Sequence, residues 1–388
     1  MKQLYTAVLK AMSGEFEAFQ NLKQGSEKRF MPLFDIPTPL NRDAAAIQAK
    51  GGDINSTYLR AKAEKIKRFY KTGDSPVMFD MFYWSVDDIV QTTGESVYEF
   101  FFKELTMGLL FNIPIIPVIS LDKWDSQEYR NAMKNIVLAS HSGICIRCDI
   151  AHNDDFIDMD EIEDVLSFLA IPSSKCRLIF DLGYILEKDL GDLLGQVESL
   201  YMEIKGYNFY QVMTCGSSMP KSITTVVAEQ NSENEVQRKE MLLWKALTGK
   251  GYDITFADYG TRHPLPEPES DSIENPKQPF FQNKNKQIRY TTLDAHYILR
   301  GCPTKDGGNH QALSKKLTKS PCYSGSPFSW SDQRISECSQ GSFKGNDSNW
   351  VAIDTNRHIE AVLDEVKEHL RTPVVTDAGT LEEGVFVE

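Results

Sequence analysis

Basic residues are in short supply. The chain sets 42 Lys and Arg against 55 Asp and Glu, a formal charge of −13 over 388 residues. A pI near 5.1 argues against generic nucleic-acid or anionic-membrane binding, both of which need a positive surface. Cysteine is sparse as well: seven scattered residues, an odd number, make no disulfide framework. Cys145 and Cys148 form a C-x-x-C, but ICIRCDI reads as a strand, where residues three apart face opposite ways. Buried reduced thiols are expected there ahead of a zinc site. Long apolar runs are missing. Residues 107–121 are the most apolar stretch, and Asn112, Pro114 and Pro117 break it before it reaches bilayer length. The opening MKQLYTAVLKAMSGEF has no apolar core behind its lysine, so no signal peptide is expected. No H-E-x-x-H, no H-x-H after an early strand, no G-x-S-x-G elbow and no P-loop occurs. Of the histidines, only His152 and His263 fall near strand ends, which makes zinc unexpected and leaves an oxygen-ligand Mg²⁺ or Mn²⁺ site open. A soluble, cytoplasmic protein is expected.

What is present is an ordinary globular composition, 41% hydrophobic and 25% charged. The length suits two domains or one large elaborated one. Between Tyr5 and Gly260, eight β-rich runs alternate with helical segments: 5–10, 29–36, 75–84, 112–121, 143–150, 175–185, 207–215 and 252–260. Several runs are apolar on both faces, as parallel strands covered by helices require. Ile162, Val165, Leu166 and Leu169 keep helical spacing, with Asp158 as the expected N-cap. Leu186, Leu190, Leu193, Leu194 and Val197 do the same in the next connection. The alternation predicts an α/β fold, a (βα)8 TIM-like barrel over 1–263, with a doubly wound sheet as the alternative. A second ambiguity concerns closure: YTAVLK closes the barrel, or decorates it while QIRYTT (287–292) closes it.

After Gly260 the composition changes. Residues 264–287, rich in Pro, Asn and charge, read as a linker. RYTTLDAHYILRG reads as a hairpin turning near Leu293–Ala295, and 302–350 as a Ser/Gly-rich segment. A closing helix carries Ile359, Val362, Leu363, Val366 and Leu370 on one face. The segment 264–371 is expected to pack on the barrel, and 372–388 to form a mobile tail.

Barrel active sites lie at strand C-terminal ends. Those ends hold Lys10, Asp35, Asp80, Ser120 with Asp122, Arg147 with Asp149, Asp181, Ser217 and Asp258. Such carboxylates suit a divalent metal or an acid/base pair; Asp is equally common as a cap or turn residue. Asp149, Asp181 and Asp258 are the catalytic candidates. Lys10, Asp35, Asp80, Arg147, Gly216, Ser217, Ser218, Arg262 and His263 are the ligand-binding candidates. In the loop TCGSSMPKS, Gly216 permits close backbone approach, Ser217 and Ser218 offer hydroxyls, and a helix is expected near Pro220. A helix start there suits phosphate, and a plain Ser-rich N-cap is the structural alternative. Lys10 beside an anion-binding loop matches the layout of pyridoxal-phosphate barrels, but is better read as a charge partner of Asp35 or Glu15. Phe82, Tyr83 and Trp84 read as core or rim packing.

A set of blocks in fixed order carries a resemblance: YTAVLKAMSGEFEAF, MPLFDIP (31–37), RLIFDLG (177–183), GSSMP (216–220), DYGTRHP (258–264), IRYTT…YILRG (288–301), GSPFSWSD (325–332) and NRHI (356–359). Together they resemble the phage beta protein family across nearly the whole chain. Asp35 stands where many relatives are expected to have Glu, and Arg357 where a second His is expected. The resemblance implies carriage by phages, prophages and bacterial islands, in anti-phage settings, and attaches no reaction. It also implies that the C-terminal segment belongs to the same domain, with Trp330 and Trp350 as packing anchors. His358 would then lie near the start of the last helix as a hydrogen-bonded cap residue.

Two functions follow. The first is a binding or sensing protein of phage–host conflict with a protein partner, carrying an anionic-ligand pocket for a phosphate-containing small molecule. The second is a metal-assisted phosphoester hydrolase using Mg²⁺ or Mn²⁺ on the strand-end carboxylates, Arg262 stabilising phosphate charge. A glycoside hydrolase with carboxyl groups roughly 5–9 Å apart is a third idea. An enzyme should hold the aspartates in an open pocket, a scaffold should bury them as salt bridges with Lys10 and Arg147.

Overall fold

The computed structural model describes residues 3–69, 75–107, 114–151, 157–264 and 284–372. Eight parallel strands close a barrel: β1 (Tyr5–Lys10), β2 (Phe30–Asp35), β3 (Val77–Asp80), β4 (Ile115–Ser120), β5 (Ile144–Asp149), β6 (Cys176–Tyr184), β7 (Gln211–Ser217) and, after an intervening strand β8 (Ser232–Gln237), β9 (Thr255–Asp258). The strands are apolar on both faces because each face meets a different core. Val8, Leu33, Met78, Val118, Cys145, Ile179, Met213 and Ala257 fill the barrel interior. Their neighbours Leu9, Phe34, Phe79, Ile119, Ile146, Phe180 and Phe256 pack outward under the helices. Each Val, Leu, Ile, Phe or Met among them is worth ~1.5–3 kcal/mol on burial. Cys145 faces inward and Cys148 outward, both as buried free thiols.

Around the barrel run α1 (Ser13–Gln20), α2 (Asn41–Gln48), α3 (Ile54–Phe69), α4 (Val97–Thr106), α5 (Gln127–Ser140), α6 (Met159–Leu169), α7 (Leu190–Ile204) and α8 (Lys239–Gly249). Asp158 caps α6, accepting from the Asp160 and Glu161 amides at 3.0 and 3.2 Å. In α7, Leu193 and Val197 are buried as the spacing predicts, but Leu186 precedes the helix and packs elsewhere, against Met219 and Ile298. Among the described residues, no helix is long and apolar enough to cross a membrane.

Closure of the barrel settles two alternatives. Tyr5, Thr6 and Ala7 pair with Phe256, Ala257 and Asp258, so YTAVLK is a barrel strand and the sheet is not an open one. The QIRYTT run instead lies in β10 (Asn285–Thr291), which forms an antiparallel sheet with β11 (Ala295–Pro303) and β8. A division at 263 therefore cuts that sheet from one of its own strands. Asp294 turns the β10–β11 hairpin with a φ of 57°. Most of the 264–287 linker and all of 373–388 lie outside the described residues, as does His152.

The Ser/Gly-rich segment is more regular than its composition predicts: it holds α9 (His310–Leu317) and α10 (Trp330–Gln340), capped by Asn309 and Ser329. They and Trp350 enclose a second core with Ile288, Tyr290 and Leu299, against which Trp330 is partly buried. The last helix, α11 (Asp347–Arg371), begins in a reciprocal capping box between Asn346 and Asn349. Ile359, Val362, Leu363 and Val366 are buried, whereas Leu370 is exposed. α11 crosses α1 so closely that a Cβ on Gly14 would stand 2.7 Å from Val351 Cγ1.

Candidate functional site

Parity along the strands decides which strand-end side chains meet. Lys10, Asp35, Asp80, Ser120, Arg147, Asp149, Asp181 and Ser217 each lie two residues beyond an inward-facing position, so they share the inner face at the barrel's C-terminal mouth. Four of them converge. Arg147 Nε donates to Asp181 Oδ2 at 2.8 Å, and its Nη1 donates to Asp35 Oδ1 at 3.2 Å and Asp80 Oδ2 at 2.8 Å. Its Nη2 donates to the Tyr259 hydroxyl at 2.6 Å and lies 2.8 Å from Asp181 Oδ2. Tyr259 in turn donates to Asp181, and Phe82 stacks over the guanidinium with a centroid distance of 5.2 Å. All these groups except Phe82 are buried.

Three carboxylates thus share one guanidinium. Burial by itself would lower the Arg147 pKa, but Tyr259, Asp181, Asp35 and Asp80 drive it well above its ordinary value. Asp35 carries the surplus negative charge. Burial pushes it up, Arg147 pulls against that, and Asp80 and Asp181 add to the rise, leaving it at about 7 instead of 3.8. Every nitrogen of Arg147 is engaged, so the cation is spent inside the barrel and is not displayed to an incoming anion.

Asp258 does not join this group. It shares parity with outward-facing Phe256 and Ala7, and points away from the mouth. There its Oδ1 accepts from the Tyr5 hydroxyl at 2.6 Å and from the Gly260 amide at 2.9 Å. Its Oδ2 lies 2.8 Å from His358 Nε2. Burial would raise the Asp258 pKa, yet His358, Arg238 and Tyr5 hold it below its ordinary value. His358 sits in the middle of α11, not near its start, and is fully buried. Its Nδ1 meets Thr291 Oγ1 at 2.9 Å, so it ties the barrel to the small sheet and is no helix cap. Arg357 points to the other side, donating to the Thr291 carbonyl, Asp332 and Ser324.

The expected anion loop is also built differently. No α-helix begins near Pro220; a single 3₁₀ turn, Ile223–Thr225, is followed by β8. Ser217 Oγ donates to the Arg262 carbonyl and accepts from the Met219 amide. Ser218 is fully buried, donating to Glu240 at 2.5 Å and accepting from the Lys239 amide. A Cβ on Gly216 would touch Ile185 at 3.0 Å, so the glycine serves packing. Burial lifts Glu240 to about 7 against the pull of Arg238 and Ser218. Arg262 Nη2 lies 3.3 Å from Glu15 Oε1, and His263 packs on the Tyr184 ring. Ser217 thus turns its hydroxyl to a backbone carbonyl, Ser218 to a carboxylate, and Arg262 lies beside a carboxylate.

Asp149 is half-buried on the rim, apart from the Asp258 pair. Among the described residues, no three His, Cys, Asp or Glu side chains are grouped to hold a metal ion. Trp84 is buried and donates to the Ile36 carbonyl, while Tyr83 donates to the Pro264 carbonyl: rim packing, as expected. Lys10 contributes positive charge that lowers Asp35. It also lines a small cleft with Glu15, Asp35, Tyr259, Arg262 and Thr355. Sequence reasoning passed over Tyr5, Tyr259, Glu240 and Thr291. Tyr259 was findable, since it follows β9 directly and keeps the parity of Ala257 on the inner face; the others depend on contacts between distant segments.

A family model described as Beta protein matches residues 5–364. No curated protein matches this chain. Among solved structures, the UDP-N-acetylglucosamine 2-epimerase from Rickettsia bellii is similar at 13% identity, over 66% of this chain and 68% of that one, with a TM-score of 0.19. That likeness is too slight to bear on fold or activity.

Proposed function

The chain belongs to the Beta protein family over residues 5–364, and from that premise we propose that it is a binding or sensing component of phage–host conflict that engages a protein partner. The observation that carries this reading is the state of the strand-end carboxylates. Asp35, Asp80 and Asp181 are buried on Arg147, where a catalytic acid, base or metal ligand would need to reach a substrate. Asp258 is turned outward and committed to His358 and Tyr5. These are the contacts of a scaffold. The phage setting rests on the order of the family blocks from YTAVLK to NRHI. The acidic surface, at −13 overall, suits protein contacts over nucleic acid.

Two measurements test it. The purified full chain is incubated with bis(p-nitrophenyl) phosphate and Mg²⁺ or Mn²⁺; no turnover is expected. Metal-dependent hydrolysis abolished by Asp149→Asn or Asp181→Asn would overturn the reading in favour of the hydrolase. Cells producing the chain are then challenged with a phage panel, and plating efficiency is expected to change at least ten-fold for some phage. An unchanged efficiency for every phage removes the proposed setting.

A further inference from the structure

We propose that the outer edge of β8 receives an extended segment of the protein partner as a fourth, antiparallel strand of the small sheet, with a lysine or arginine of that segment opposite Glu235. This rests on the partner reading above and names how the partner is held.

Register decides which backbone groups line the two edges of the sheet. The Arg238 amide donates to the Asp294 carbonyl at 2.7 Å, and β8 pairs with β11 from Gln237 opposite Ala295 to Ser232 opposite Arg300. Bonded and non-bonded pairs alternate along an antiparallel ladder. Ser232, Asn234 and Val236 therefore bond to β11, while Glu233, Glu235 and Gln237 turn their N–H and C=O groups outward. At the other edge the Thr292 amide donates to the Ala295 carbonyl at 2.9 Å. The same alternation turns Gln287, Arg289 and Thr291 outward from β10.

The two edges are finished differently. Along β10, side chains of α9 and α11 meet the outward groups. Arg357 Nε donates to the Thr291 carbonyl at 3.0 Å, Asp354 accepts from the Arg289 amide, and His310 donates to the Gln287 carbonyl. Along β8 one outward group is held, the Glu235 amide, by Asn234 Oδ1 at 2.9 Å. Among the described residues, nothing bonds to the amides of Glu233 and Gln237 or to the carbonyls of Glu233, Glu235 and Gln237. Glu233, Asn234, Glu235 and Gln237 are all exposed. A row of such groups is a template for a further strand.

Charge selects the occupant. Glu233 and Glu235 share one face of the sheet, opposite Leu299 and Tyr297. Lys316 of α9 pairs with Glu233, whereas Glu235 has no ion pair among the described residues. A second copy of this chain would set its own glutamates against these, and like charges across a ladder are destabilising. A basic residue from a different chain meets the Glu235 carboxylate instead. On the other face Val236 is buried with Met219, Ile223 and Val227, so an apolar residue fits on either side of the basic one.

The test is titration of the full chain at pH 7.5 and low salt with acetyl-Thr-Val-Lys-Val-Thr-amide. Three controls accompany it: the peptide with Glu for Lys, and two isomers N-methylated at the Lys amide or at the Val amide after it. In the antiparallel arrangement the Lys amide faces β8 and the Val amide faces away. The parent and the Val-methylated isomer are expected to bind at millimolar concentration and to slow amide hydrogen exchange across 233–237. The Lys-methylated isomer, of identical charge and composition, and the Glu peptide should bind at least ten-fold more weakly. Glu235→Lys should weaken the parent at least ten-fold. Asn234→Ala, which frees the Glu235 amide, should strengthen it, and this opposite sign separates a backbone ladder from attraction between charges alone. No binding by the parent, equal binding of the Lys-methylated isomer, or indifference to Glu235→Lys overturns the proposal. So does a dimer of the chain that the peptide dissociates, which would make a second copy the occupant. Absence of strand binding with the phage phenotype intact removes this edge and keeps the partner reading. Strand binding in a chain that leaves every phage unaffected keeps the edge and removes the setting.

Discussion

Asp35→Asn isolates the surplus charge at the barrel mouth. Asp35 shares Arg147 Nη1 with Asp80, at 3.2 and 2.8 Å, and an amide oxygen can keep accepting from that nitrogen. The folded carboxyl is half-protonated at about pH 7, against an ordinary 3.8, because burial, Asp80 and Asp181 outweigh Arg147 and Lys10. Between those two pH values the folded state binds more protons than the unfolded one. Stability contributed by this group therefore falls as pH rises from 3.8 to 7, and the unfavourable contribution is complete above 7. At about 1.4 kcal/mol per pH unit it reaches roughly 4 kcal/mol at pH 8, against roughly 1.6 at pH 5. Asparagine does not titrate. Whatever constant offset the amide introduces, the stability of Asp35→Asn relative to wild type should rise by roughly 2.5 kcal/mol between pH 5 and pH 8. Urea unfolding of both proteins at pH 5, 6, 7 and 8 measures this difference directly. Buried acids remote from Arg147 titrate alike in both proteins and cancel. A difference that stays flat with pH refutes the assignment of the surplus charge to Asp35.

Three further outcomes follow from the same packing. Arg147→Met strips the cation from Asp80 and Asp181 and should cost about 3–5 kcal/mol at pH 8; urea unfolding should show part of that restored by adding Asp181→Asn. His358→Gln removes a charge partner that helps hold Asp258 below its ordinary pKa despite burial. The loss, about 2–4 kcal/mol, should shrink in urea melts as pH falls below 3.8, since a depressed acid stabilises above its unfolded pKa. Gly14→Ala places a methyl 2.7 Å from Val351 Cγ1 and 2.9 Å from the Ser348 carbonyl; it should cost about 1–3 kcal/mol, and a thermal double-mutant cycle with Val351→Ala should recover part of it.

Much of the barrel was legible because its signals are local. Runs such as PVIS and CRLIFDLG are apolar on both faces, which a covered parallel strand demands, and the inner parity of Arg147 and Asp181 follows from counting by twos along a strand. The small sheet was half legible: the RYTTLDAHYILRG hairpin is written in its turn, but its third strand, SENEVQ, is mostly exposed and has no apolar alternation to announce it. The helices α9 and α10 were hidden because Ser and Gly dominate their segment, and what forms them is capping by Asn309 and Ser329 and the core around Trp350. Asp258 misled for a different reason. Its strand ends at the mouth like the others, but one residue of register turns its carboxylate outward to a histidine 100 residues away. Glu15 entered the sequence reading only as a charge partner for Lys10, since an acidic residue in a first helical turn is commonplace.

The Tyr5–Asp258–His358 connection has a bearing on how the chain comes off the ribosome. Tyr5 belongs to the first barrel strand and Asp258 to the last, so their hydrogen bond crosses the seam where the cylinder shuts. His358 follows Asp258 by 100 residues, which at about 5–20 residues per second is a delay of roughly 5–20 s. During that interval all eight strands exist, but the carboxylate at the seam has no imidazole to meet it. Closure completed in that window would bury the carboxylate with Tyr5, the Gly260 amide and the charge of Arg238 to offset it, and the final helix adds the imidazole afterwards. The barrel is in this sense a structure finished from outside itself, and a chain ending anywhere between 259 and 357 would carry every strand of the cylinder without the residue that locks it.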